Sequence, residues 1–249
     1  MISAGQSSEA RGSLSLEWGG EKLTLLPERA LWWERENTLF IADPHFGKAS
    51  AFRFAGIPVP ETPHDADLER LDAALQKTSA KRLIILGDFL HARTGRSEAS
   101  LAALHLWRSR QAHVDVVLVL GNHDKHAGRP PQEWHMECVS GPWPASPFHC
   151  CHEPREIADS FVLAGHLHPS FHLSAGNDGL SSPCFHFAPG LAVLPAFGTF
   201  TGTHSITPGK QDRVFVVGPD EVIDVSPTLA APKSAPPSRK PRKNRRAKK

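Results

Sequence analysis

Apolar runs and polar clusters alternate along this chain in a fixed relation. Four runs, TLFIA (38–42), RLIIL (82–86), VVLVL (116–120) and FVLA (161–164), each stop just short of Asp, Asn or His. The clusters that follow are Asp43-Pro44-His45, Gly87-Asp88, Gly121-Asn122-His123-Asp124 and Gly165-His166-Leu167-His168. A short unbroken apolar run closed by turn residues reads as a buried strand. In open α/β sheets the carboxyl ends of the strands are where ligands bind. The pattern therefore predicts strands that deliver oxygen and imidazole donors to one sheet edge, as a metal site requires.

The remaining elements follow the same logic. LTLL (23–26) and ALWWE (30–34) predict a strand pair around Pro27-Glu28-Arg29. Leu68, Leu71, Ala74 and Leu75 fall at helical spacing within 62–78, and Leu101, Leu104 and Trp107 do so within 97–110. The stretch after His45 reads as irregular, because Gly47, Gly56, Pro58 and Pro60 interrupt it. The second half predicts short, mostly antiparallel strands at 134–139, 147–151, 161–165, 169–174, 184–187, 191–195 and 213–217. The expected class is α/β, with two packed mixed β-sheets flanked by helices.

Composition divides the chain. Residues 1–19 predict a flexible N-terminus, 20–229 one folded domain and 230–249 a disordered basic tail. The net charge of +2 conceals a contrast: residues 233–249 hold nine Lys or Arg and no acid, so 19 basic and 26 acidic side chains remain, a balance of −7. Such a tail predicts sequence-independent binding of DNA or RNA through phosphate contacts. No run approaches the ~20 apolar residues of a membrane span. The first residues lack the apolar core of a secretory signal. Cys138, Cys150, Cys151 and Cys184 form no C-x-x-C pair, which fits reduced thiols and a cytoplasmic location.

Asp, Asn and His together suit borderline-hard divalent ions, and two such ions about 3.5–4 Å apart are a known device for cleaving phosphate esters. In order, D-x-H, G-D, G-N-H-D, a further His and G-H-x-H resemble the calcineurin-like metallophosphoesterases. That resemblance implies a metallophosphoesterase sandwich with the site at the C-terminal strand ends. It implies that Asp43, His45 and His168 bind one metal, that Asn122, His152 and His166 bind a second, and that Asp88 bridges them. It makes His123 the catalytic group over the substrate phosphate and Asp124 its orienting partner, although a turn-forming role for Asp124 is equally open. His149 competes with His152, but on a strand the two face opposite ways, and His152 lies at the exit of the apolar segment. His91 and Arg93, just past Asp88, are candidate substrate contacts.

Further phrases, LLPERALWW, ADPHFGKASAFRFAGIPVPE, LGDFLHAR, CHEP, GHLHP and LPAFGTFTG, resemble the DNA-ligase-associated DNA damage response endonucleases of bacteria, the PdeM family. Pro44 departs from the aliphatic residue common within D-x-H. The resemblance implies a dinuclear phosphodiesterase or endonuclease acting on nucleic acid in DNA repair, with Mn²⁺ as activating ion and a functional link to DNA ligase. Fe, Zn or Ni also suit the ligand set. The expected reaction is attack of a metal-activated hydroxide on phosphorus with His123 assisting. The same motifs also serve hydrolases of cyclic nucleotides and lipid-linked pyrophosphates. A reading of another class is a DNA-repair scaffold without catalysis.

Overall fold

The computed structural model describes residues 12–59, 63–175 and 178–226. The first sheet runs in the order β1 (Leu14–Trp18), β2 (Glu21–Leu26), β3 (Ala30–Trp33), β4 (Thr38–Ile41), β5 (Arg82–Ile85), β6 (Asp115–Val119) and β7 (Met136–Val139). Strands β1 to β4 are antiparallel neighbours, and β4 to β7 are parallel. Helices α1 (Lys48–Phe54) and α2 (Pro63–Thr78) cross from β4 to β5, and α3 (Glu98–Arg110) crosses from β5 to β6. The short α4 (Asn122–Ala127) follows β6.

The second sheet contains β8 (Trp143–Ala145), β9 (Phe148–Cys150), β10 (Phe161–Ala164), β11 (Pro169–Ala175), β12 (Asp178–Ala188), β13 (Leu191–Val193), β14 (His204–Ser205), β15 (Arg213–Val217) and β16 (Val222–Asp224). Its path is β14-β11-β12-β13-β10-β9-β8, with β15 also on β12 and β16 on β15. As expected, most of its pairings are antiparallel, but β10 is parallel to both β9 and β13. Their runs are buried on both faces, the usual environment of parallel strands.

Alternation along the central strands builds two cores at once. Leu39, Ile41, Leu83, Ile85 and Leu118 face α2 and α3, meeting Leu71, Leu104 and Trp107. Phe40, Ile84, Val117 and Val119 face the second sheet, meeting Phe148, Leu163, Phe185 and Phe215. Each such side chain contributes roughly 1.5–3 kcal/mol on burial. The two layers also fix where the strands stop, and hence where the polar clusters lie.

Three expectations need correction. The boundary of the flexible N-terminus at residue 19 falls beyond β1, because Trp18 stacks on Phe148 at 5.6 Å and meets Phe161 and Phe187 edge-on. The segment after His45 is not irregular: Gly47 and Gly56 bracket α1, and Ser50 ties it to Ser100 of α3 at 3.0 Å. Asn122, which the sequence places at the end of a strand over 114–122, instead opens α4, because β6 stops at Val119. The basic tail and the domain boundary at 229 lie outside the described residues.

Candidate metal centre

The polar clusters meet where the two sheets share an edge. A bridge pairs Ala42 with Ala196, and the Phe197 amide donates to the Ala42 carbonyl at 2.7 Å. Asp43, His45, Asp88, His166 and His168 all adopt left-handed backbone, with φ of 50°, 47°, 50°, 71° and 48°. For non-glycine residues such conformations cost about 1–3 kcal/mol each and gather at functional sites. The sharp turns lift these side chains out of the strand direction and onto one point.

Two donor groups form there. Asp43, His45 and His168 present ligand atoms within 4.8 Å of one another, and so do Asp88, His152 and His166. Asn122 joins the second group, with Oδ1 at 2.8 Å from His152 Nε2. Asp88 lies between the groups: its Oδ2 is 3.7 Å from His45 Nε2 and 3.5 Å from His152 Nε2. His45 also forms a third trio, with His91 and His123. Glycine is required beside this cluster. A Cβ on Gly87 would lie 2.0 Å from His152 Nδ1, and one on Gly121 2.2 Å from Asp88 Oδ1.

Three of the imidazoles, His45, His152 and His168, are held neutral, and two of them aim a lone pair inward. His152 Nδ1 donates to the Leu86 carbonyl (3.1 Å) and His168 Nδ1 to the Gly202 carbonyl (3.0 Å), which leaves each Nε2 as an acceptor. Burial pushes the basicity of His152 and His168 down, and that of His45 down to about 2, with neighbouring His168 adding to the effect. Asp43 shows the opposite strain. Burial raises its carboxyl well above the usual range, and the charge of Asp88 adds to this. Its Oδ2 accepts from the His166 amide at 2.7 Å, while its buried Oδ1 has no hydrogen-bond partner among the described residues. Neutral imidazoles, an orphaned carboxylate oxygen and two neighbouring carboxylates fit divalent cations.

His123 stands beside this cluster and is half exposed. Its backbone amide donates to Asp88 Oδ1 at 2.8 Å, and its Nε2 lies 4.0 Å from Asp88 Oδ2. Asp124 does not orient it. Asp124 is buried and accepts backbone N–H groups of Phe89 (3.0 Å), Leu90 (3.3 Å) and Gly121 (2.9 Å), so both oxygens hold the turns together. The group on His123 Nδ1 is the carbonyl of His91, at 2.8 Å. His91 sits inside the cluster, its Nδ1 3.4 Å from that of His45. Arg93 is exposed on a 3₁₀ turn, without a hydrogen bond or ion pair to the cluster among the described residues. His149 points elsewhere, on the partly buried face of β9. The carbonyls of Leu86, His91 and Gly202 escape sequence reading, because a main-chain acceptor has no residue signature.

Comparison with known proteins agrees with this geometry. The sequence profile of calcineurin-like phosphoesterases matches residues 37–182. The crystal structure of Pseudomonas putida nuclease MPE aligns with a TM-score of 0.75 and 40% identity, over 85% of this chain and all (100%) of that one. Yfce, a phosphoesterase from E. coli, aligns with a TM-score of 0.41 and 14% identity, over 75% of this chain and 96% of that one. No curated protein matches. The profile spans all the strand ends from Asp43 to His168 at which the donor groups form, and by that match the chain belongs to the calcineurin-like phosphoesterases, a family of metal-dependent phosphoesterases.

Proposed function

We propose that the protein is a dinuclear nuclease that hydrolyses phosphodiester bonds of DNA, with RNA as the alternative substrate, in DNA repair. The observation that carries this reading is Asp88, a buried carboxylate lying between two imidazole-bearing donor groups. The 40% identity with a nuclease of P. putida supports nucleic acid as the substrate. Asp43, His45 and His168 would hold one ion, Asn122, His152 and His166 the other, and Asp88 would bridge. When bound, divalent cations polarise phosphoryl oxygens and acidify water; Mn²⁺ is the proposed ion.

The chain's own groups do the rest. His123 Nδ1–H donates to the His91 carbonyl, so Nε2 is the ring atom that can carry a second proton and pass it to a leaving oxygen, returning the ring to its neutral Nδ1–H form. His91 supports His45 and His123 by ring and carbonyl, and Arg93 lies on the exposed rim, where a long substrate passes. Residues 233–249 act as a cationic arm that raises the local concentration of nucleic acid beside an acidic body. The four free cysteines support a cytoplasmic setting, where a functional link with DNA ligase would operate.

The test is a panel of Mn²⁺, Mg²⁺, Zn²⁺ and Fe²⁺ against an aryl phosphodiester, cyclic nucleotides, and single- and double-stranded DNA and RNA. Cleavage of nucleic acid within the chain is expected with Mn²⁺. Hydrolysis of cyclic nucleotides with nucleic acids left intact would overturn the reading.

A further inference from the structure

The Asn122–His152 end of the cluster opens into a cleft of about 230 Å³. Asn122 and His152 line it from the cluster side, together with Gly121 and Gly141, which bring no side chains. Lys125, on α4, and Arg155, beyond β9, line it from two separate segments of chain. Both are exposed, and neither forms an ion pair or hydrogen bond among the described residues. One acidic side chain, Glu153, also faces the cleft. The cleft thus carries two cations and one anion, a net positive charge within a body at −7 over residues 1–232.

Two unpaired cations from separate segments, converging on a cleft that begins at two donor side chains, call for an anion held beside the reacting group. The cleft's volume decides how much of a substrate fits. Pockets for whole small molecules run from about 300 Å³ upward, so this one takes a fragment, a phosphate with its sugar. We propose that the cleft is a subsite for the phosphodiester adjacent to the scissile one, with Lys125 and Arg155 contacting its oxygens. This rests on the nuclease reading. It adds that the enzyme recognises two successive phosphates of one strand, the second on the Asn122–His152 side.

The charges are exposed, so each contact is modest and screened by salt. Two exposed pairs together predict an effect of roughly 3- to 10-fold at low ionic strength. The probes are a thymidine dinucleotide, with one phosphate, and the trinucleotide, with two. Each competes against hydrolysis of an aryl phosphodiester by the Mn²⁺-loaded full chain, which gives an inhibition constant whether or not the probe is cleaved. The wild type should bind the trinucleotide more tightly than the dinucleotide. In Lys125→Ala/Arg155→Ala that ratio should fall about 3- to 10-fold, and in Glu153→Gln it should rise. A ratio unchanged in the double variant, or no trinucleotide preference in the wild type, would overturn the subsite. Failure of the nuclease reading looks different: the aryl diester is hydrolysed and neither oligonucleotide is cut, while the ratio of inhibition constants still decides the subsite.

Discussion

His123 donates from Nδ1 to the main-chain oxygen of His91 at 2.8 Å, and the two rings stack with centroids 5.0 Å apart and planes 24° from parallel. This contact fixes both the tautomer and the tilt of His123. It leaves Nε2 as the ring atom able to exchange a proton with a substrate. A main-chain carbonyl therefore does here what a carboxylate does in many catalytic histidine pairs.

Replacing His123 by Ala should slow turnover while both metals stay bound, since among the described residues no other ring nitrogen occupies its place. General acid assistance is typically worth ~10²–10⁴-fold. The measurement is kcat on a diester with an alkoxide leaving group, with metal content determined on the same sample. Turnover equal to wild type on that substrate would remove His123 from the reaction.

Asp88→Asn should release metal, because the shared counter-charge between the two donor groups disappears while side-chain volume hardly changes. Elemental analysis after gel filtration should give fewer than two ions per chain. Retention of both would contradict a bridging role.

Asp43, as a proposed ligand, is expected to trade stability for metal binding. Its buried Oδ1 accepts no hydrogen bond among the described residues and has only His152 Nδ1 near it, at 3.4 Å, and its charge is disfavoured by burial and by Asp88. Asp43→Asn keeps an oxygen for the His166 amide and removes the charge. The metal-free variant should melt higher than metal-free wild type, at about 2–4 °C for each kcal/mol gained in a domain of this size. Added Mn²⁺ should raise the melting temperature of wild type and leave that of the variant nearly unmoved. A lower melting point for the metal-free variant would show that the carboxylate stabilises the fold by itself.

The strand ends were legible in the sequence because hydrophobic periodicity is a local signal, and the runs before Asp43, Asp88 and His166 are unbroken. Gly87 and Gly121 were legible as turns, although not the reason for them, since the crowding by His152 and Asp88 comes from distant segments. Strand β1 was hidden in polar company, and its order comes from pairing with β2, from buried Leu16 and from the aromatic cluster around Trp18. Helix α1 was hidden because glycine at both ends resembles a loop in sequence, whereas here it brackets a single helix of seven residues. Asp124 stayed open between two roles in the sequence for a physical reason: in Gly-Asn-His-Asp a carboxylate beside an imidazole suggests a pair, but the backbone amides of the turn compete for both its oxygens and win.

Asp67 on α2 reaches the metal centre through a loop. Its carboxylate accepts the Thr199 amide and hydroxyl, at 3.2 and 3.0 Å, and pairs with Arg70 at 2.8 Å. Arg70 in turn donates to the Phe197 carbonyl and lies over its ring. These bonds hold the segment whose Gly202 carbonyl accepts from His168. Asp67→Ala should weaken metal binding by ~10-fold, the low end for partners of ligating histidines. Metal titration followed by calorimetry checks this. A fall in melting temperature with unchanged affinity would confine Asp67 to a structural role.

Deleting residues 233–249 should weaken DNA binding and spare hydrolysis of a small diester. The deletion removes nine positive charges and leaves a body at −7. Every proposed metal ligand lies upstream of it, from Asp43 to His168, so the chemistry has no direct dependence on the tail. Binding to phosphates releases condensed counterions, and on duplex DNA each contact adds roughly 0.9 to the slope of log affinity against log salt. Losing the tail should therefore flatten the salt dependence as well as lower the affinity. The two effects must change together, since both count the same contacts. The measurement is binding of a short duplex at several salt concentrations, with the full chain and the truncated one. Equal affinities with equal slopes would show that the tail makes no phosphate contacts.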